Sequence, residues 1–339
     1  MFRRAMHCLL LAAAICGCGR SAGTDDDQAA AGTPAAPDAA PPSPPPASGP
    51  VQIEMKNVRL RVAEGVVLNV RALRGEMIST KRGAPPVFDD SRSYTLRLHH
   101  ADIGMDMASL TRLMNDHILA YEGAPMRDVE VEIEDGRLRQ KGKLEKGIPV
   151  PFSMKASVAA TPDGKLRLRA ESISALGVPA TKLLDLFGLE LDDLVSLKER
   201  RGVDVTDNDI VIDPGDVLPP PVMRGRLTRA EITDGELRQV FGSATAATPL
   251  SPPDPRARNY VYFSGSSIRF GKLTMSATDL QLIDADDRDP FDFSPDNYNR
   301  QLVAGYSKNT PHGGLKTYMP DYADLERVRD LTPRSGRER

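Results

Sequence analysis

The chain has 339 residues, of which 40% are hydrophobic and 27% are charged, so it is long enough to bury one large core or two ordinary ones. Its formal net charge of -3 gives no electrostatic basis for binding nucleic acid. Tryptophan is absent and aromatic residues make up only 5% of the chain, which favours aliphatic ligands over glycans.

The first residues predict export and a lipid anchor. Arg3 and Arg4 precede an apolar run that is too short to span a bilayer but suits a secretory signal. The run ends in Ile-Cys-Gly-Cys, which resembles a bacterial lipobox, so we expect residues 1–18 to be a signal peptide with a lipidated Cys18. An ordinary cleaved signal is the alternative. Because the other two cysteines would leave with the signal, no internal disulfide is expected.

Residues 19–50 are rich in Ala, Pro and Ser and predict a disordered tether. In an extended form such a segment reaches on the order of 100 Å. Gly19 and Arg20 lack the aspartate that retains lipoproteins in the inner membrane of diderm bacteria. We therefore expect a periplasmic protein anchored in the inner leaflet of a Gram-negative outer membrane.

The folded part is predicted to begin with strands in residues 51–107. Ser109 then suits the N-cap or first turn of an amphipathic helix that contains Leu110, Met114 and His117.

The clearest pattern in the chain follows this helix, in residues 127–170. Apolar and charged residues alternate with a period of two over four segments, and tight turns are predicted at Asp135-Gly136 and Asp163-Gly164. These residues predict a four-stranded antiparallel meander with one apolar face.

A second helical region, residues 183–197, is apolar almost all round, and further hairpins follow it up to residue 243. Residues 51–243 are therefore expected to form an α+β domain, with long antiparallel sheets against one or two amphipathic helices. Residues 244–258 are expected to be a linker. Residues 259–325 are expected to be a C-terminal extension, with three short strands followed by an irregular, polar surface segment from Asp284 onward. Residues 326–339 are expected to be a disordered tail.

Part of this pattern resembles a known family. The order of helix, strands and turns in residues 105–240, including residues 127–129, 134–138, 151–153, 163–168, 183–186 and 203–212, is similar to the LmeA-like phospholipid-binding family. The resemblance implies a fold like that of tubular lipid-binding (TULIP) proteins, in which a curved sheet wraps a helix around an acyl-chain groove. It implies neither a catalytic residue nor a cofactor.

The resemblance and the apolar faces together suggest a set of lipid-contacting side chains: Leu110, Met114, Phe152, Met154, Leu166, Leu168, Leu183 and Phe187. The alternative is that these side chains pack only against one another. The basic strand faces, such as Arg137–Lys143, could meet anionic head groups or could simply be solvated.

Other functions have weaker support. His99, His100 and His117, and the Asp-rich run after Asp284, have no recognised metal-ligand spacing. Nucleophile elbows, phosphate-binding loops and dinucleotide fingerprints are absent. The sequence therefore predicts a non-enzymatic, membrane-anchored carrier of a phospholipid or other acyl-chain ligand, with no cofactor and no metal. An envelope scaffold without ligand is the second hypothesis, and an esterase or phosphatase is the third.

Overall fold

The structure is a computed structural model that describes residues 49–124, 126–146, 148–175, 178–179, 202–206, 209–245 and 248–331. The predictions for Cys18, the tether, Leu183 and Phe187 lie outside these residues.

The described part of the chain is mostly β-structure with short helices. Its strands are β1 Val51–Ala63, β2 Val66–Ser79, β3 Tyr94–Asp106, β4 Met126–Glu134, β5 Arg137–Lys146, β6 Ile148–Ala160, β7 Leu166–Ala175, β8 Val178–Pro179, β9 Val203–Thr206, β10 Asp209–Ile212, β11 Val222–Arg224, β12 Leu227–Thr233, β13 Glu236–Gly242, β14 Tyr260–Gly265, β15 Ile268–Phe270, β16 Leu273–Met275, β17 Thr278–Asp284, β18 Phe291–Phe293, β19 Tyr306–Asn309 and β20 Leu315–Met319. The helices are α1 Met107–Arg112, continued by a π-helical turn Leu113–Ile118, then α2 Pro214–Val217, a 3-10 turn Pro295–Asn297, α3 Tyr298–Ala304 and α4 Tyr322–Leu331.

Two sheets, which we call the large sheet and the meander sheet, make up most of the described residues. The large sheet has the order β12-β13-β3-β2-β1-β14-β17-β20-β19, with β11 paired to β3 and β18 paired to β1. The meander sheet has the order β4-β5-β6-β7-β10-β9, with β8 paired to β7. Neighbouring strands are mostly antiparallel, so the α+β class with long antiparallel sheets is confirmed.

The meander forms where the sequence predicts it. Asp135 and Gly136 have φ of 52° and 71°, which is the left-handed pair that a two-residue hairpin turn requires. Across the next hairpin, Met154 on β6 faces Ile173 on β7, so apolar side chains of adjacent strands share one face.

The predicted helix is present, and of the two positions predicted for Ser109 the structure shows the first turn. Asp106 is the N-cap, because its carboxylate accepts a hydrogen bond from the Ser109 amide at 2.7 Å. Ser109 therefore lies in the first turn, where its buried hydroxyl accepts a hydrogen bond from the Val67 amide at 3.1 Å.

The C-terminal strands belong to the large sheet. β14 pairs with β1 from Val51↔Gly265 to Lys56↔Tyr260. Four strands, β14 to β17, occupy the region where three were expected, because β15 and β16 form a separate small hairpin.

The expectation that the polar chain after Asp284 only covers the surface is wrong for Phe291 and Phe293. Both side chains are fully buried, and Val58 of β1 is the register partner of Phe291. Two apolar residues two positions apart decide the burial here, although the segment around them is polar on average. Helix α4 also runs to Leu331 and so includes residues 326–331, which composition assigns to the disordered tail.

Candidate functional site

An apolar groove lies between the meander sheet and the helical segment Met107–Ile118. It consists of two adjoining cavities, each with a volume of about 90 Å³ and each open to solvent. The two cavities share the side chains Met114, Ile118, Gln140, Met154, Leu168, Ile212 and Val217. Because so many walls are shared, we treat them as one space and call it the acyl groove, after the groove that the sequence leads us to expect.

Six of the eight predicted lipid-contacting residues line the acyl groove: Leu110, Met114, Phe152, Met154, Leu166 and Leu168. They come from α1, the π-helical turn, β6 and β7. The structure therefore brings together side chains that are up to 58 positions apart in the sequence, from Leu110 to Leu168. Several of them, including Leu166 and Phe152, also contribute to the buried cores.

Other lining residues were not foreseen. They come from the large sheet and from the segment after β10: Met105, Leu237, Gln239, Pro214, Val217 and Leu218. Alternation of apolar residues in β13 predicts which side chains share a face. It does not predict that this face meets the meander, because the pairing of β13 with β3 joins residues at least 130 positions apart.

The lining is almost entirely uncharged and aliphatic. Within the described residues no charged side chain lines either cavity, and the polar side chains there are those of Gln140 and Gln239. Gln140 lies between Val131 on β4 and Met154 on β6, and Gln239 lies between Ala230 on β12 and Ile103 on β3.

Gly142 leaves room for an aromatic wall of the groove. A Cβ at this position would lie 2.9 Å from Cε1 of Phe152 and 3.0 Å from the carbonyl oxygen of Arg127. The ring of Phe152 therefore occupies the space that a side chain at residue 142 would need.

The basic residues of the meander strands lie on the face opposite the groove. Successive side chains of a strand point to opposite sides, so Arg139 points away from the face that holds Gln140. The basic side chains are mostly neutralised there by ion pairs: Arg137–Glu171, Arg139–Glu134, Lys141–Glu132, Lys143–Asp128, Lys165–Asp163 and Arg169–Asp209. This arrangement favours the solvated face over a head-group site.

The helical segment is attached to the edge of the meander sheet by side chains. Asn115 Nδ2 donates to the Val129 carbonyl oxygen at 2.7 Å, and the Val129 amide donates to Asn115 Oδ1 at 3.0 Å. The Val131 amide donates to the Thr111 hydroxyl at 3.0 Å. The segment thus satisfies backbone groups at an otherwise open strand edge and holds Met114 over the groove.

The histidines and aspartates do not form a metal site within the described residues, where no group of three or more metal-ligating side chains comes together. His99 Nε2 lies 3.4 Å from Glu76 in a polar cleft beside Gln52. A hydrogen bond from Gln52 and the nearby His99 and Arg97 lower the pKa of Glu76, against the opposing effect of burial.

The Asp-rich C-terminal region is a structural cluster. Asp292 is buried and accepts hydrogen bonds from Arg61 at 2.6 and 2.7 Å. Asp284 is buried and accepts a hydrogen bond from Asn259 at 3.0 Å. Asp292 therefore joins β18 to β1, and Asp284 joins the end of β17 to the residue before β14.

No protein-family model, curated protein or solved structure matches this chain. Among the described residues, no helix combines the length and apolar character that crossing a membrane requires.

Proposed function

We propose that this protein binds a lipid and carries its acyl chain in the acyl groove. The observation that supports this proposal most is the lining: an open, uncharged, aliphatic space bounded by two sheets and a helical segment. Each methylene group moved from water into such a space contributes roughly 0.8 kcal/mol, so a chain of several methylenes gains useful affinity.

The composition of the groove agrees with a ligand site. Small-molecule sites commonly have a mostly apolar wall and few polar groups. Met105, Met114 and Met154 are among its walls, and methionine adapts to ligands of varied shape because its side chain is unbranched and flexible.

The arrangement of a sheet, a helical segment and an acyl groove supports the further proposal of a TULIP-like lipid-binding fold related to the LmeA-like family. Together with the sequence before Cys18 that resembles a lipobox, it leads us to propose a lipoprotein of the periplasm, anchored in the outer membrane by a tether. The protein would collect or hold a phospholipid while its anchor stays in the bilayer.

A pair of matched variants tests the proposal. Leu168→Glu places a carboxylate in the groove, whereas Val211→Glu places one on the opposite face of the same sheet, where Arg167 is its cross-strand neighbour. We expect Leu168→Glu to reduce uptake of a fluorescent fatty-acyl probe at least tenfold, because a buried unpaired carboxylate costs several kcal/mol.

Val211→Glu should bind the probe as the unmodified chain does. Circular dichroism and thermal unfolding establish that both variants are folded. Equal uptake by folded Leu168→Glu and Val211→Glu would contradict a role for the groove.

A further inference from the structure

The two carboxamides in the acyl groove lack strong hydrogen-bonding partners. Among the described residues, Gln140 Nε2 contacts only the sulfur of Met126, at 3.7 Å, and the Gln239 side chain has no hydrogen bond. Thioether sulfur is a weak acceptor, so the described part of the chain leaves the donors of both amides essentially unused.

Two other glutamines of this chain, which are buried in the fold, have hydrogen-bond partners for their side-chain amides. The fully buried Gln281 exchanges two hydrogen bonds with the backbone of Asp254, at 2.6 and 3.0 Å. The fully buried Gln301 accepts from the Ser294 amide at 3.0 Å and donates to the carbonyl oxygens of Asp292 and Pro320 at 2.9 Å. Gln140 and Gln239 differ from both, since they are half-buried and border open space.

An acyl chain that enters the groove displaces the water that can solvate these amides. Burying an amide without a hydrogen-bond partner costs free energy. A purely hydrocarbon ligand would therefore lose part of the binding free energy that burial of its methylene groups provides. A ligand that places an acceptor beside the amides avoids this loss.

The charge of the lining restricts what that acceptor is. No Lys, Arg or His is among the described lining residues, so these residues offer no counter-charge to an ionised carboxylate or phosphate within the groove. An ester or amide carbonyl is uncharged, accepts hydrogen bonds, and stands at the head of an acyl chain.

Building on the proposed lipid-binding function, we propose that the groove selects acyl chains linked through an uncharged carbonyl, with the carboxamides of Gln140 and Gln239 donating hydrogen bonds to that carbonyl. Any charged head group of the ligand then lies outside the groove. The two residues determine specificity, and the aliphatic walls supply most of the affinity.

Three probes with the same pyrene-labelled chain test this inference: a methyl ester, an alkane and a free fatty acid. They are titrated into the full chain carrying Cys18→Ser, which removes the thiol expected to be lipidated. The unmodified groove should prefer the ester over the alkane, and over the free acid at neutral pH. Gln140→Leu combined with Gln239→Leu should reduce the preference for the ester over the alkane about tenfold, the effect expected for one or two neutral hydrogen bonds.

Met154→Leu is the control, because it alters the groove wall next to Gln140 without changing any hydrogen-bonding group. This substitution should change the affinities for the ester probe and the alkane probe by the same factor. An unchanged ester-to-alkane ratio in the double glutamine variant would overturn the inference, while continued binding of the alkane would leave the proposed function intact. Failure of the unmodified chain to bind any of the probes would overturn both.

A second measurement does not depend on the variants folding. The infrared stretching band of the ester carbonyl should lie at lower frequency in the probe bound to the unmodified chain than in the same probe dissolved in hexane, because a hydrogen bond to the carbonyl lowers this frequency. A bound ester whose carbonyl absorbs as it does in hexane contradicts the assignment. The single variants Gln140→Leu and Gln239→Leu should each move the band part of the way back.

Discussion

Asp321 shows what burial does to a single carboxyl group in this protein. Its side chain is 9% exposed, and Oδ1 accepts a hydrogen bond from the Asp292 amide at 2.8 Å. Burial, together with the nearby carboxylates of Asp284, Asp289 and Asp292, raises the pKa of Asp321 to about 7, and the Asp292 amide only partly offsets this. Arg61 is the cation of this cluster, but its guanidinium is hydrogen-bonded to Asp292.

The raised pKa predicts a pH dependence of stability. The unfolded chain releases the Asp321 proton near the ordinary value of 3.8, whereas the folded chain holds it up to about 7. The folded state therefore binds this proton more tightly, and the contribution of Asp321 to the free energy of unfolding falls as pH rises from about 4 through 7.

We expect Asp321→Asn to remove this contribution and to raise the unfolding temperature at pH 8 relative to the unmodified chain. The Asn carbonyl oxygen can still accept from the Asp292 amide. Asp287→Asn, at an exposed position, is the control for the change in net charge. Parallel pH profiles for Asp321→Asn and the unmodified chain would contradict the account.

At the scale of elements, the helical segment Met107–Ile118 depends on Asn115. Val129 is 2% exposed and lies at a register shift between β4 and β5, so its backbone groups are not paired with β5. Asn115 supplies both a donor and an acceptor to these groups, as a neighbouring strand would. The attachment therefore covers the edge of β4 and completes one wall of the acyl groove.

Asn115→Ala should lower the free energy of unfolding by about 2–4 kcal/mol, because it leaves two buried backbone groups without partners. Thr111→Val removes one hydrogen bond, to the Val131 amide, and should cost about 1 kcal/mol. Chemical denaturation measures both changes. Uptake of the acyl probe should also fall with Asn115→Ala, since the groove residues Met114 and Ile118 lie on the same helical segment. If Asn115→Ala has the same denaturation midpoint as the unmodified chain, Asn115 does not attach the segment to β4.

The sequence predicts those helices, strands and turns that are determined by residues close to one another in the chain. The turn at Asp135-Gly136 and the period-two alternation around it define β4 and β5, and the spacing of Leu110 and Met114 defines the helical segment. Asn115 gave no such signal, because a single polar residue in an amphipathic helix is normally solvated. Its role becomes visible only when the edge of β4 is placed beside it.

At the scale of the whole molecule, the N-terminal and C-terminal parts of the described chain share one sheet and one core. Phe88, in the loop between β2 and β3, packs its ring against Phe263, Phe270 and Phe293, with centroids 5.0 to 6.1 Å apart. This aromatic cluster could not be predicted from sequence, because its members are scattered over 206 positions and no periodic pattern connects them. The part of the groove lining that β3 and β13 contribute could not be predicted for the same reason, since these two strands meet only through long-range pairing.

The central claim is that the acyl groove holds lipid, and native mass spectrometry tests it most directly. The full chain carrying Cys18→Ser is expressed in a diderm bacterium, purified without detergent and then incubated with phospholipid vesicles. We predict a bound species heavier than the protein by the mass of one acyl-containing lipid, released on collisional activation, retained by Val211→Glu and lost from Leu168→Glu. A protein that shows only its own mass, both as purified and after incubation with the vesicles, would contradict the account.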